Sequence, residues 1–196
     1  LRQHDISSLQ ALFLAGERCD PDTLHWAVKQ LEVPVLDHWW LTDSGWAMAA
    51  NPMGLEALPV LAGSPTVAVA GYDIRVLDDE GQEVADGDSG NIVVKLPLPP
   101  GNLSTLWGNQ QRFHDAYLSR FEGYYLTGDA GVKDEQGYVW VMSRIDDVIN
   151  VAGHRLSTGA LEEALATHAD VAECAVIGVE DKLKGEMPLG FVVLNA

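Results

Sequence analysis

Positive charge is scarce in this sequence. Its 196 residues carry 12 lysines and arginines against 29 aspartates and glutamates, a formal net charge of −17. A surface that acidic argues against a general nucleic-acid binder or a protein that docks on anionic membranes. It leaves room for a small anionic ligand, because a few local cations and backbone amides can hold a phosphate inside a negative protein. Cysteine is scarce too. Cys19 and Cys174 stand far apart without metal-ligand spacing, so they read as free thiols of a reducing compartment. The histidines, His4, His25, His38, His114, His154 and His168, show no zinc-type pairing with them, which argues against a catalytic zinc site. No apolar run approaches a membrane span, and the first residues lack a charged-then-apolar signal pattern. Neither a Gly-rich Walker loop nor G-x-S-x-G occurs. These absences point to small-molecule partners, with no nucleic acid and no membrane, and to a cytoplasmic location.

What is present suits a globular protein with a real core: 47% hydrophobic and 21% charged residues. A short strand is expected at residues 12–15, a helix opened by Pro21-Asp22 at 23–31, and a second strand at 33–36 that ends before a loop starting at Asp37. Strand, loop, helix, strand, loop is an α/β pattern, and such sheets bind ligands at strand C-terminal ends. From Gly63 the character changes to short β-rich runs at 67–69, 73–77 and 91–96, split by DDEG and DGDSG turns, which reads as a small antiparallel barrel or sheet. A helix is expected at 109–120, and a strand pair at 124–127 and 138–143 connected through 131–137. A boundary is expected after Arg144, followed by a helix at 158–167 and strands at 171–179 and 189–194. The chain opens on Leu1 and stops just after a strand-like run, as a piece of a longer protein would.

Asp129 follows Thr127-Gly128, at an expected strand end where glycine lets a ligand come close. Its two oxygens can accept from both hydroxyls of a ribose, or it can cap a turn. Arg144 lies where a hairpin returns it towards Asp129; it can reach phosphate or ribose oxygens, or pair with Asp146 at the surface. Adjacent residues on a strand point to opposite sides, so of Trp39 and Trp40 one can fill the core and the other face a pocket, unless both are core. Asp43 can ligate a divalent cation shared with phosphate, and Thr42 can donate to that phosphate, though Thr-Asp-Ser also caps helices.

Taken together, GER at Gly16, DHWWLTDSG at Asp37, YYLTGDAG at Tyr124 and SRIDDVINVAGHRLST at Ser143 resemble the acetate and propionate–CoA ligases of the adenylate-forming superfamily. The resemblance runs over essentially the whole chain. KLPLPPGNLSTLWG and the DHWW form look more like the propionate branch. It implies a fold of α/β and β parts. Residues 1–145 would be the C-terminal portion of the large nucleotide- and acyl-binding domain, and 146–196 the start of a mobile small α+β domain. It also implies two half-reactions: a carboxylate and ATP with Mg2+ give an acyl-adenylate and pyrophosphate, and the thiol of coenzyme A then gives acyl-CoA and AMP.

By matching positions, Gly16, Glu17 and Arg18 would line the adenine pocket. Asp37, His38, Trp39, Trp40, Leu41 and Thr42 would follow the nucleotide and acyl pocket, with Trp40 as the wall that limits acyl length. Asp43 would take the magnesium position, and His168 would lie near a cation site of the small domain. Asp129 would hold the ribose beside Arg144, with Arg155 near the phosphates. Asp146 would be the hinge, and Ala152 and Gly153 would border the pantetheine tunnel. Asp43 stands where the resemblance implies glutamate, Leu41 where it implies glutamine, and Arg18 where it implies proline. The Ser/Thr/Gly-rich phosphate loop and a late lysine are missing, and Lys182 and Lys184 lie too early to serve, so these 196 residues alone are expected not to adenylate efficiently. The alternatives are a non-catalytic nucleotide-binding or interaction module on the same scaffold, or another adenylate-forming enzyme. Trp39-Trp40 speaks against the latter, since bulk there suits acetate or propionate.

Overall fold

The computed structural model describes residues 4–16, 18–152 and 154–195, with Arg155 described by its backbone. The chain begins with β1 (Leu12–Leu14), α1 (Pro21–Leu31) and β2 (Val35–Trp39). Asp20 caps α1, its Oδ1 accepting the Thr23 N–H at 2.9 Å, and Pro21 occupies the first turn, where its missing N–H is no loss. Leu24 and Ala27, three apart on one face, bury against Cys19 and Val35, so α1 covers the β1–β2 pair. Next come β3 (Ala49–Ala50) and β4 (Val67–Ala68). The first sheet has the order β1-β2-β3-β4, parallel between β1 and β2 and antiparallel thereafter.

The second sheet is built from β5 (Ile74–Leu77) and β6 (Ser89–Lys95), and, after α2 (Gln110–Tyr117), from β7 (Tyr124–Lys133) and β8 (Val139–Arg144). Its order is β5-β6-β7-β8, antiparallel throughout. On β6 the side chains alternate. Ile92 and Val94 join Trp39, Met48, Ala49, Tyr125 and Val139 in a core shared by the first two sheets, whereas Val93 packs with Leu77 and Phe121 on the other side. Each fully buried aliphatic side chain in that core stabilises the fold by ~1.5–3 kcal/mol. Asn109 caps α2 through the Arg112 N–H at 3.0 Å, and the Tyr117 ring stacks on Tyr125 at 5.1 Å between centroids.

A 3-10 turn at Ile145–Asp147 leads to β9 (Val148–Val151), β10 (His154–Ser157), α3 (Thr158–Ala166), β11 (Val171–Asp181) and β12 (Gly185–Leu194). These form a third, antiparallel sheet of order β10-β9-β12-β11, with α3 capped by Ser157, whose Oγ accepts the Ala160 N–H at 3.2 Å.

Three expectations shift. The run at 67–69 joins the first sheet, because β4 pairs with the buried, small-residue β3, and the second sheet is open, with no closed barrel among the described residues. Strand β2 continues through Asp37 and His38 to Trp39, so the expected loop begins later. The third shift is β7, which runs unbroken through Thr-Gly-Asp to Lys133. Its glycines are not turns. Gly128 takes a φ of +81° within the strand, and Gly131 sits where the Trp140 carbonyl leaves no room for a Cβ, beside a register shift. The hairpin turn is the shorter 134–137 segment, closed by the Tyr138 and Gly137 backbone on Asp134.

Candidate functional site

Because β7 and β8 are hairpin partners, Asp129 stands directly opposite Arg144. Asp129 is 5% exposed and lines a cavity of about 300 Å³. Its Oδ1 accepts from Arg144 Nη1 at 3.1 Å and its Oδ2 from the Trp39 indole Nε1 at 2.9 Å. Thr127 holds the backbone beneath, its hydroxyl accepting the Asp129 N–H at 3.2 Å and donating to the Ile92 carbonyl at 2.6 Å. Arg144 reaches Asp129 only across Gly128, where a Cβ would collide with the guanidinium. Burial pushes the Asp129 carboxyl above its ordinary value, and Trp39 and Arg144 oppose that shift. Asp129 is therefore neither a turn cap nor a surface group, and Arg144 pairs with it rather than with Asp146.

The other wall comes from the first sheet and the loop after β1. Gly16, Arg18, Asp37, His38, Trp39, Trp40 and Leu41 all line the same cavity. Asp37 is 9% exposed and accepts the His38 N–H at 2.9 Å and the Cys19 N–H at 3.4 Å, tying Cys19 to β2; burial pushes its carboxyl up as well. The two tryptophans divide as strand alternation predicts: Trp39 is 8% exposed within the core and Trp40 is 47% exposed. Trp40 also borders a separate apolar cavity of about 270 Å³ with Phe13, Ala15, His38 and Trp46. Leu41 packs on the core next to Trp39. Arg18 pairs with Glu163 of α3 at 3.0 Å, so the residue in the place of the implied proline bridges to that helix.

Thr42 and Asp43 fall in a 3-10 turn outside this lining. Asp43 Oδ2 accepts from the Tyr117 hydroxyl at 3.0 Å and the Tyr125 hydroxyl at 3.5 Å. Both hydroxyls are held above their ordinary pKa, Tyr125 far above it, by burial and the Asp43 charge. Asp146 is exposed in the turn after β8, and Ala152 is exposed at a φ of 48° with its N–H on the Lys184 carbonyl at 2.7 Å. His168 is exposed, its Nδ1 accepting the Asp170 N–H at 3.2 Å. Among the described residues, no group of three or more histidine, cysteine or acidic side chains is placed to hold a metal ion. Glu17, Gly153 and the Arg155 side chain lie outside what is described.

Sequence reasoning missed four contributors. Ser143 is among the residues that line the cavity, and its Oγ is buried without a hydrogen-bond partner. Tyr117, Tyr125 and Glu163 meet their partners only in space. For Ser143 the signal was its place directly before Arg144 in the chain, opposite Ala130 on β7.

A family model described as AMP-binding enzyme matches residues 1–101, and one described as AMP-binding enzyme C-terminal domain matches residues 160–196. The mouse protein named acyl-CoA synthetase short-chain family member 3, mitochondrial, is 52% identical over 195 residues, covering 99% of this chain and 29% of its own length. The propionate–CoA ligase of Escherichia coli K12 is 45% identical over 195 residues, covering 98% of this chain and 31% of its own length. The crystal structure of the anthranilate CoA ligase AuaEII in complex with anthranoyl-AMP matches with a TM-score of 0.81 at 29% identity, over 98% of this chain and 35% of that one. The chain thus spans under a third of the length of these two curated relatives.

Proposed function

The chain belongs to the AMP-binding enzyme family, and from that premise we propose that it is part of an ATP-dependent short-chain acyl-CoA synthetase acting on propionate or acetate. The observation that carries this reading is the buried Asp129 carboxylate, held from two sides and facing a cavity of about 300 Å³. A carboxylate so placed accepts from a ribose diol. Gly16, Arg18, Asp37, His38 and Leu41 would flank the adenine and the nucleotide, and Trp40 would close the acyl side.

In the first half-reaction a substrate carboxylate oxygen attacks the α-phosphorus of ATP and pyrophosphate leaves. In the second the sulfur of coenzyme A attacks the acyl carbonyl and AMP leaves. The residues here bind and orient; Thr42 and Arg155 would serve the phosphates, and Ala152 and Gly153 the pantetheine. Asp43 fits a magnesium ion, since its Oδ2 is engaged by two tyrosines and its Oδ1 remains as a hard oxygen donor of the kind Mg2+ shares with phosphates. Bound there, Mg2+ would neutralise developing phosphate charge. His168 would lie near a second cation. Without a phosphate loop or a late lysine among them, the 196 residues would hold nucleotide without adenylating.

Residues 1–145 would act as the nucleotide-holding unit and 146–196 as a unit that rotates about Asp146 between half-reactions. The expected location is the cytoplasm, or the mitochondrial matrix in a eukaryote; no helix of the described residues is long and apolar enough to cross a membrane.

The test is acid-dependent pyrophosphate release by the full-length gene product. Release with propionate or acetate supports a ligase. AMP binding without release under any short acid leaves the non-catalytic module standing instead. If rotation occurs at the Ile145–Asp147 turn, Asp146→Pro should slow thioester formation at least about ten-fold more than adenylation, a difference of ~1.4 kcal/mol in barrier. Equal loss of both steps in pre-steady-state assays would count against a hinge there.

A further inference from the structure

We propose that Trp39 is a positioning residue for the nucleotide: its indole N–H fixes the Asp129 carboxylate in the orientation that receives the ribose. This rests on the reading of Asp129 as the ribose acceptor and goes beyond it, because the two donors on that carboxylate are unlike. Arg144 is half exposed, reaches in across Gly128 and shares its Nη1 with the Thr127 carbonyl. Such a side chain can yield its place when a ligand hydroxyl arrives. Trp39 cannot. Its ring is 8% exposed and wedged in the core with Met48, Ala49 and Tyr125, so its N–H has one fixed direction. That N–H meets Oδ2 at 2.9 Å across 90 residues of sequence, joining the end of β2 in one sheet to the middle of β7 in the other. With Oδ2 anchored, Oδ1 is left turned towards Arg144, a carboxylate having lone pairs to spare for a diol.

A buried indole N–H also needs an acceptor for its own sake, and that need alone would explain the contact. The two roles separate experimentally. The titratable groups around Asp129 are Arg144 from β8, Asp37 and His38 from β2, and Arg18 from the loop after β1. Of these, Arg144, together with the Trp39 hydrogen bond, draws the Asp129 carboxyl down against burial. Removing the indole N–H leaves that carboxyl higher, so the pH below which AMP affinity falls should move upward.

The experiment compares the wild-type full-length protein with Trp39→Phe, which keeps an aromatic ring in the core and deletes the donor. AMP affinity by calorimetry should fall roughly ten-fold near neutral pH, as expected for a hydrogen bond to a charged group. The acid limb should shift to higher pH, and the loss should largely vanish in an Asp129→Asn background. Equal affinity and an unmoved acid limb would overturn the proposal, as would equal losses in both backgrounds. Should Trp39→Phe not fold, the indole N–H proton resonance of the wild type decides: it should titrate together with AMP binding and stop doing so in Asp129→Asn, and a pH-independent resonance overturns the proposal. A wild type that binds no AMP at all would sink the nucleotide-site reading itself, a result distinct from these.

Discussion

Asp129→Asn should lower AMP and ATP affinity by roughly two orders of magnitude while leaving the folded protein at least as stable at neutral pH. The affinity loss follows from the loss of a charged acceptor facing a diol, each charge-assisted hydrogen bond contributing about 1.5–3 kcal/mol. The stability expectation has the opposite sign. Burial raises the Asp129 carboxyl, so between its ordinary and its raised pKa the folded chain holds a proton that the unfolded chain has lost. Stability conferred by this group therefore falls as pH rises through that interval and stays low above it. Asparagine removes the buried charge and abolishes that slope; its single oxygen can accept from Trp39, and its NH2 then faces Arg144, which is half exposed and can turn to water. Thermal melts across pH, set beside calorimetric titrations with AMP, check both halves. A variant that binds within about two-fold of wild type would remove Asp129 from the nucleotide site. One destabilised equally at every pH would show that the carboxylate is structural.

What could be read from residues alone followed sequence distance. Asp129 and Arg144 lie 15 apart on a hairpin, where strand pairing sets the register, and their meeting was foreseeable. The unequal burial of Trp39 and Trp40 follows from the two-residue period of a strand. By contrast, Asp43 meets Tyr117 and Tyr125 across 74 and 82 residues, and no local pattern encodes such a contact. The misread extents of β2 and β7 share one cause. Asp37, Gly128 and Asp129 are residue types that usually end strands, and here they lie inside them. Asp37 is tolerated because two backbone N–H groups satisfy it, and Gly128 because the space above it is needed by Arg144. Local signals of that kind fail where a strand carries a binding group in place of a core side chain.

Trp40→Gly should move the acid preference of the full-length protein towards longer chains. Trp40 is not core: it is 47% exposed and lines both the cavity of Asp129 and the apolar cavity of Phe13, Ala15, His38 and Trp46. An indole between two cavities acts as a partition, and replacing it with hydrogen lets an acyl chain extend from one into the other. Each methylene that becomes buried contributes about 0.8 kcal/mol, near four-fold, so two should raise the pentanoate-to-propionate ratio of kcat/KM by ~15-fold. Propionate itself should lose kcat/KM, since its short chain then meets a void rather than a wall. The core stays intact because Trp39, not Trp40, packs with Met48 and Val139, so the thermal midpoint should change little. A chain-length profile that does not move would place the acyl pocket elsewhere. A profile that moves with a collapse of adenylation for every acid would instead make Trp40 part of the nucleotide wall. The ratio of acids, measured alongside AMP affinity, distinguishes the two, because AMP carries no acyl chain and should bind the variant as it binds the wild type if Trp40 serves the acid alone.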